Sequence, residues 1–413
     1  MIHAPHFRAG LLGECLLHSY SPRIHRELAD YSYSLFEMPE AEVSAFLASN
    51  RFDALNITIP YKKTVLPFLS GISEEARRIG SVNTITRTPN GLFGDNTDYF
   101  GFSCLLDQSG ICVRGRKVLI LGSGGASETA RTVCTDRGAE ITVISRNGRD
   151  NYSNLERHRN ADVIVNTTPV GMFPGNGKVP LDLTFFPRLS GVIDMIYNPA
   201  KTGLLLNAER LGIPFVGGLV MLVAQAKQAC ELFLGESIDN REIDRIVRKI
   251  SAETENLILV GMPGCGKTTI GKALAIRMGR RFLDTDDAIA EKTGRTPSEI
   301  LRSDGIAVFR HLETQCVAEF GKQNGAVIAT GGGVPTVAEN TDLLRQNGKI
   351  VFLRRPLGLL ASENRPLSLA KPIEELAAER LPLYESLADF SVDNDATPEE
   401  AVSRILKIWE KTR

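Results

Sequence analysis

Leu257-Ile258-Leu259-Val260-Gly261-Met262-Pro263-Gly264-Cys265-Gly266-Lys267-Thr268-Thr269 is the run on which the reading of this chain of 413 residues turns. Four apolar residues predict a buried strand, Gly261 to Thr268 fit G-x-x-x-x-G-K-[ST], and helix formers follow from Ile270 to Met278. Glycines at this spacing let successive backbone N–H groups turn inward around a polyphosphate. Lys267 then reaches the outer phosphates, and the Thr268 hydroxyl is placed to ligate Mg²⁺ at the helix N-terminus. The whole run from Gly261 to Thr269 is therefore expected to be a nucleotide phosphate site. Cys265, inside the loop beside a helix N-terminus, is expected to be either a reactive thiolate or a buried inert thiol.

The chain is longer than one core usually serves, which predicts two or three domains, and its 43% hydrophobic content is ordinary for a globular protein. Lys+Arg 48 against Asp+Glu 49 gives a formal net charge of -1, so there is no electrostatic footprint for nucleic acid or an anionic membrane. Small-molecule partners are expected. Seven scattered cysteines, without a C-x-x-C pair or zinc-type histidine spacing, fit a reducing cytoplasm. The richest apolar run, Ile213 to Ala229, is interrupted by Gly217, Gly218, Gln225 and Lys227 and reads as a glycine turn and buried helix. The sequence does not specify an oligomeric state.

From Gly10 to about Leu106, strands such as Ser32 to Phe36 and Ala54 to Ile59 alternate with helices such as Ala41 to Ala48, the pattern of an α/β domain. Ser19-Tyr20-Ser21-Pro22 predicts a Ser N-cap before Pro at the first helical position, with two hydroxyls where a helix favours an anion. Asn56-Ile57-Thr58-Ile59-Pro60-Tyr61-Lys62 stops a strand and delivers Lys62 at its end. Ser81-Val82-Asn83-Thr84 enters a hairpin closed at Pro89-Asn90-Gly91, and Gly94 to Asp98 follow. Each of these can also be read as an ordinary cap, a surface lysine or a loop.

At Lys117 the pattern changes. Val118 to Leu121 is a buried strand, Gly122-Ser123-Gly124-Gly125-Ala126 a tight turn, and a helix follows from Ser127. Ser127 stands at the third glycine position of G-x-G-x-x-G. The next strand, Ile141 to Ile144, ends at Ser145-Arg146-Asn147, where an acidic residue would mark NAD and an arginine suits the 2′-phosphate of NADP, with Arg149 as a second cation.

Together these segments, with Asn166-Thr167-Thr168-Pro169-x-Gly171-Met172 and Met221-Leu222-Val223-Ala224-Gln225, resemble the shikimate dehydrogenase family. The resemblance implies a substrate site of Ser19, Ser21, Thr58, Lys62, Asn83, Asp98, Tyr197 and Gln225, with Lys62 and Asp98 as the catalytic pair. It also implies NADP(H) on Gly122, Ser123, Gly124, Gly125, Ala126, Ser145, Arg146, Asn147, Gly218 and Met221. The family's usual run at the second strand's end is Asn-Arg-Thr, from which Ser145-Arg146-Asn147 departs.

From Leu257 onward the chain resembles shikimate kinase: besides the phosphate loop it has Asp284-Thr285-Asp286, Phe309-Arg310-His311-Leu312-Glu313, Thr330-Gly331-Gly332-Gly333, Asn364-Arg365-Pro366-Leu367 and Glu379-Arg380-Leu381-Pro382-Leu383-Tyr384. This implies that Arg310 and Arg380 grip a carboxylate and that Asp286 binds a ring hydroxyl and acts as base. Gly331, Gly332 and Gly333 approach the ring, Lys267 and the lid Arg365 neutralise the transferred phosphate of ATP, and Thr268 and Asp284 support Mg²⁺. The lid departs from the family in being short and in having no arginine among Leu359 to Ser362.

The resulting expectation is a wholly α/β chain. Residues 1–105 form a substrate domain completed by 218–250, 106–217 a Rossmann-type NADP domain, 251–256 a polar linker, and 257–413 a P-loop domain of the nucleoside monophosphate kinase-like type. The expected activity is a bifunctional one. Two alternatives stand beside it: a quinate-oxidising dehydrogenase joined to another small-molecule kinase, and a catalytically silent ligand sensor.

Overall fold

Strands Val163–Asn166, Gly191–Asp194 and Asn256–Val260 are buried along their whole length, which is what a continuous apolar run does at the centre of a parallel sheet covered on both faces. The computed structural model describes residues 2–16, 19–360 and 372–411, and it divides into two units. The first comprises Met1–Met172, Lys178–Tyr197 and Asn207–Val247; the second comprises Phe173–Gly177, Asn198–Leu206 and Arg248–Arg413.

The first unit has two sheets. One has six strands in the order Ala29–Glu37, Ile2–Gly13, Ala54–Ile57, Thr84–Thr88, Gly91–Asp95 and Gly71–Ile72. Its first three strands are parallel, and the Thr84–Thr88 and Gly91–Asp95 pair is the antiparallel hairpin expected around Asn90-Gly91. The other sheet is wholly parallel, in the order Phe215–Val216, Gly191–Asp194, Val163–Asn166, Lys117–Leu121 and Glu140–Ile144. Phe102, Leu105 and Leu106 pack with Val118, Ile120, Val133 and Ile193 in its core.

The second unit's sheet is also wholly parallel, in the order Arg281–Asp284, Ala326–Ala329, Asn256–Val260, Gly348–Arg354 and Phe390–Asp393. Apolar clusters around Leu257, Leu274 and Trp409 and around Ile258, Phe352 and Tyr384 fill the space on either side of it. The α/β class expected from the sequence is the one observed. Among the described residues no helix is long and apolar enough to cross a membrane.

Three local expectations change. Helix Ser21–Leu28 is N-capped by Tyr20 without a side-chain hydrogen bond, and Ser19 Oγ accepts from Ser21 N at 3.2 Å. Strand Ala54–Ile57 ends before Thr58, so Lys62 lies in the turns that follow it. Helix Arg241–Thr254 runs through most of the residues expected as a polar linker, because Ser251 to Thr254 supply no breaker and Thr254 Oγ1 satisfies the Ile250 carbonyl at 2.8 Å.

Two glycines set how closely elements meet in the first unit. A Cβ on Gly218 would lie on the Met195 carbonyl, and one on Gly101 would stand 2.7 Å from Met221 O and 3.0 Å from Gln225 Cβ. Helix Asp98–Ser109 can therefore pack directly on helix Leu219–Leu234, which carries Gln225. Gly101→Ala should destabilise the first unit by roughly 1–3 kcal/mol, since a backbone oxygen cannot move aside as a side chain can, despite alanine's better helix propensity. Calorimetry should show a lower transition temperature; an unchanged or higher one would mean that the two helices separate freely.

Candidate functional site

Lys62 Nζ lies 2.5 Å from Asp98 Oδ2. Asp98 is the first residue of helix Asp98–Ser109, where exposed backbone N–H groups favour a carboxylate. Lys62 is held by its own backbone, whose carbonyl accepts from Val82 N at 2.9 Å. The pair lines a cavity of about 240 Å³ that also gathers Ser19, Ser21, Thr58, Asn83, Tyr197 and Gln225, all eight residues that the family resemblance nominated for the substrate.

The structure assigns some of these groups internal duties. Asn83 Oδ1 accepts from Thr97 N at 2.7 Å and its Nδ2 donates to Thr97 Oγ1 at 3.0 Å, fixing the turn into the Asp98 helix. Gln225 Nε2 donates to Leu222 O at 2.9 Å. Burial raises the Tyr197 phenol, whose ring lies 5.1 Å from that of Tyr20. Asn56, Leu11, Met195 and Leu222 also line the cavity and were not nominated. Asn56 lies within the Asn56–Lys62 motif, whereas Leu11 reaches the cavity from strand Ile2–Gly13 and Met195 from just past strand Gly191–Asp194, positions that carry no local signal.

A larger cavity, about 880 Å³, adjoins the first and shares Ile59, Lys62 and Ala126 with it. Its lining includes Gly122, Ser123, Gly124, Gly125, Ala126, Ser145 and Arg146. Gly122 has φ +112, and a Cβ there would meet Thr167 Oγ1 at 2.7 Å, so the turn requires glycine. Ser127, at the third glycine position, is buried and donates from Oγ to Gly122 O at 2.7 Å, so its hydroxyl closes the turn. Asn147 does not line this cavity, and Gly218 and Met221 line the smaller one. Asn147 lies one residue past Arg146 in the exposed turn after strand Glu140–Ile144, and Gly218 and Met221 begin the helix packed beside Asp98. Thr167, Thr168, Pro169 and Val170 complete the wall.

In the second unit, Gly261, Gly264 and Gly266 take φ values of +150, +72 and +97 around the loop. Lys267 Nζ donates to Gly261 O at 2.9 Å and Met262 O at 3.0 Å, so the ammonium spans the loop's mouth. Met262 and Cys265 are buried, while Thr268 and Thr269 are exposed at the helix start and Pro263 lies against Gly332. Cys265 is 0% exposed in an apolar cluster with Leu257, Leu259 and Ile270, the buried one of the two expected placements, and its Sγ accepts from Lys267 Nζ at 3.8 Å.

Thr268 Oγ1 donates to Asp284 Oδ2 at 2.8 Å, and Asp284 Oδ1 accepts from Asp286 N at 3.0 Å. Burial pushes the Asp284 carboxyl up. Asp286 is pushed up to about 7, first by burial and then by the charges of Asp284 and Glu313, and its Oδ1 is buried without a partner among the described residues. Arg310 pairs with Glu313 and lies where a Cβ on Gly333 would stand. Gly331 plays the same part for Glu313 and Asp286, and its N–H donates to Thr285 Oγ1 at 2.7 Å. Arg380 is buried, with Nε and Nη1 unpartnered among the described residues, and Tyr384 from the same helix donates to Gly332 O at 2.5 Å. Glu313 was quoted only as part of a motif, yet it joins Arg310 to Gly331. Arg365 and the lid lie outside the described residues.

Thr268 and Asp284 are hard oxygen donors that suit Mg²⁺, which keeps most of its shell for water and phosphate oxygens. Among the described residues no cluster of three or more His, Cys, Asp or Glu side chains forms a fuller cage.

Comparison with known proteins agrees with both halves. Residues 11–85 match the model of the shikimate dehydrogenase substrate binding domain, and residues 263–410 match that of shikimate kinase. A shikimate dehydrogenase (NADP(+)) of Clostridium beijerinckii is 34% identical over 252 residues, which cover 56% of this chain and 93% of that protein. The crystal structure of shikimate dehydrogenase 1 from Peptoclostridium difficile is similar at 36% identity and a TM-score of 0.55, over 60% of this chain and 97% of that one. The Thermus thermophilus enzyme, solved in complex with NADP(H) and shikimate, is 30% identical with a TM-score of 0.54, over 60% and 99% of the two chains. The chain therefore belongs to the shikimate dehydrogenase family and carries a shikimate kinase domain in the same polypeptide.

Proposed function

We propose that this enzyme catalyses two consecutive steps: NADPH-dependent reduction of 3-dehydroshikimate to shikimate, then ATP- and Mg²⁺-dependent phosphorylation of shikimate to shikimate 3-phosphate. The observation that carries the reading is the Lys62–Asp98 pair, which stands where the substrate-sized cavity meets the larger one. NADPH supplies the hydride when bound in that larger cavity. Reduction of a ring ketone puts negative charge on its oxygen, and the Lys62 ammonium is the acid that donates a proton to it from Nζ. Asp98 keeps that ammonium oriented. Ser19 and Ser21 hold the substrate carboxylate, and Thr58, Asn83, Tyr197 and Gln225 surround the ring.

In the kinase half, the turn Gly261–Thr269 cradles the polyphosphate of ATP and Lys267 offsets its charge. Arg310 and Arg380 pair with the shikimate carboxylate, a role that the unpartnered Arg380 atoms support. Asp286 accepts the proton of the attacking hydroxyl, and Thr268 with Asp284 supports Mg²⁺. Arg365 completes the charge inventory by family resemblance. The domain limits expected from the sequence, 1–105 with 218–250, 106–217 and 257–413, are retained as the functional division, and the chemistry on both sides suits a cytoplasmic enzyme of small acids.

Purified chain given 3-dehydroshikimate, NADPH and Mg-ATP should form shikimate 3-phosphate without a second protein, and mass spectrometry of the products checks this. Lys62→Ala should lower dehydrogenase turnover by roughly 10²- to 10⁴-fold while added shikimate is still phosphorylated. Failure of the wild-type chain to make the phosphate ester, or equal loss of both activities in Lys62→Ala, would overturn the two-site reading.

Arg146→Ala should weaken NADPH by roughly 10- to 150-fold, the worth of a charge-assisted contact, and leave NADH nearly unchanged. Equal effects on both dinucleotides would make Arg146 a structural residue only. For the kinase, kcat/KM for shikimate should rise with pH and level off above an apparent pKa of about 7, because Asp286 is protonated, and so unable to act as base, below that value. A profile already flat down to about pH 5, as an unperturbed aspartate would give, would remove Asp286 from that role.

A further inference from the structure

Among the described residues that line the large cavity of the first unit one is aromatic, Tyr152, and Ser145 and Arg146 line the cavity with it. Tyr152 and Pro180 also line a second hollow of about 360 Å³, together with Leu155, Leu181, Phe185 and Glu156. The ring thus stands on the boundary between the two spaces. Tyr152 and Arg146 line the same cavity, and while burial raises the phenol's pKa the Arg146 charge opposes that shift.

The segment that presents the ring is pinned on both sides. Ser145 N donates to Asp150 O at 3.2 Å, and Asp150 Oδ1 meets His158 Nε2 at 2.9 Å. Asn151 N donates to Asn154 Oδ1 at 2.9 Å, Asn151 Nδ2 to Gly148 O at 3.1 Å, and Asn154 Nδ2 to Arg149 O at 2.9 Å. A loop whose backbone is closed by its own asparagines holds Tyr152 in place before any ligand arrives, and preorganisation of this kind lowers the ordering cost of binding.

We propose that Tyr152 is the platform on which the adenine ring of the dinucleotide lies, beside Arg146, whose guanidinium takes the 2′-phosphate. The inference rests on the proposed NADPH-dependent reduction. A dinucleotide with its pyrophosphate at Gly122–Ala126 and its 2′-phosphate at Arg146 must put its purine next to the cavity wall adjoining that arginine. Tyr152 is the flat apolar surface there, and the second hollow receives the purine's outer edge.

The purine is common to NADPH and NADH, whereas the 2′-phosphate is not, so the two residues are separable. Tyr152→Ala and the bulkier Tyr152→Leu should each weaken 2′,5′-ADP and both dinucleotides by roughly 5- to 150-fold, the span that base–aromatic stacking commands, without changing the NADPH/NADH ratio. Tyr152→Phe should bind as wild type does, and nicotinamide mononucleotide, which lacks the purine, should be insensitive to all three changes. Titration calorimetry on the full chain reads these affinities, with melting temperature as the check on folding. Unchanged 2′,5′-ADP affinity in Tyr152→Leu overturns the platform while leaving the dehydrogenase reading intact. Failure of the wild-type chain to bind 2′,5′-ADP overturns both.

Discussion

Parallel strand pairing is the constraint on which both units depend. In a parallel sheet every strand ends at the same edge, and the helix that follows begins there with its backbone N–H groups unsatisfied. Chemistry therefore collects along one edge. In the first unit the strands Lys117–Leu121 and Glu140–Ile144 are neighbours, so their ends bring Gly122–Ala126 and Ser145–Arg146 to one cavity although they are distant in sequence. In the second unit Asn256–Val260, Ala326–Ala329 and Arg281–Asp284 are adjacent, and their ends deliver the phosphate loop, the Thr330–Gly333 turn and the Asp284–Asp286 pair. Anions suit such an edge because helix N-termini carry partial positive charge.

Each unit gives a site carboxylate close charged neighbours, but of opposite sign. Asp98 has an ammonium at 2.5 Å and sits in the first turn of a helix. Asp286 has carboxylates for neighbours and a buried oxygen with no partner among the described residues, so its proton is held up to about 7. The difference matches the proposed chemistry. A reduction needs a proton donor that stays positioned, and the Asp98 carboxylate holds the Lys62 ammonium for that task. A phosphoryl transfer needs an acceptor for the hydroxyl's proton, and a carboxylate of raised basicity serves better than an ordinary one. Arg380, buried with two guanidinium nitrogens unpartnered among the described residues, is a cost that a carboxylate ligand would remove.

Glycines contribute by permitting close approach. Gly333 admits the Arg310 guanidinium, Gly331 admits Glu313 and Asp286, and Gly101 admits the backbone at Met221. In each case the substituted residue would have to displace a functional group or the main chain. The glycine motifs are therefore as much about what lies opposite as about the turn they make.

The sequence by itself determined the α/β class, the two phosphate-type turns and the chemical identity of the groups, because those depend on residue type at short spacing. Gly261 to Thr268 and Gly122 to Ala126 could be read from their own strand and helix neighbours. The hairpin at Asn90-Gly91 was legible for the same reason. Tertiary structure alone decided which of these groups share a cavity. Lys62 and Asp98, 36 residues apart, meet because the turn after strand Ala54–Ile57 is tied to Val82, and Thr97 and Gln225, 128 apart, meet through the packing of helix Asp98–Ser109 on helix Leu219–Leu234. It also decided that Gly218 and Met221 face the smaller cavity, that Cys265 is sealed in the core, and that Ser251 to Thr254 continue a helix. Local sequence carries turn chemistry and periodicity, whereas burial, proton affinity and the meeting of distant side chains are properties of the sheet order, which no short stretch contains.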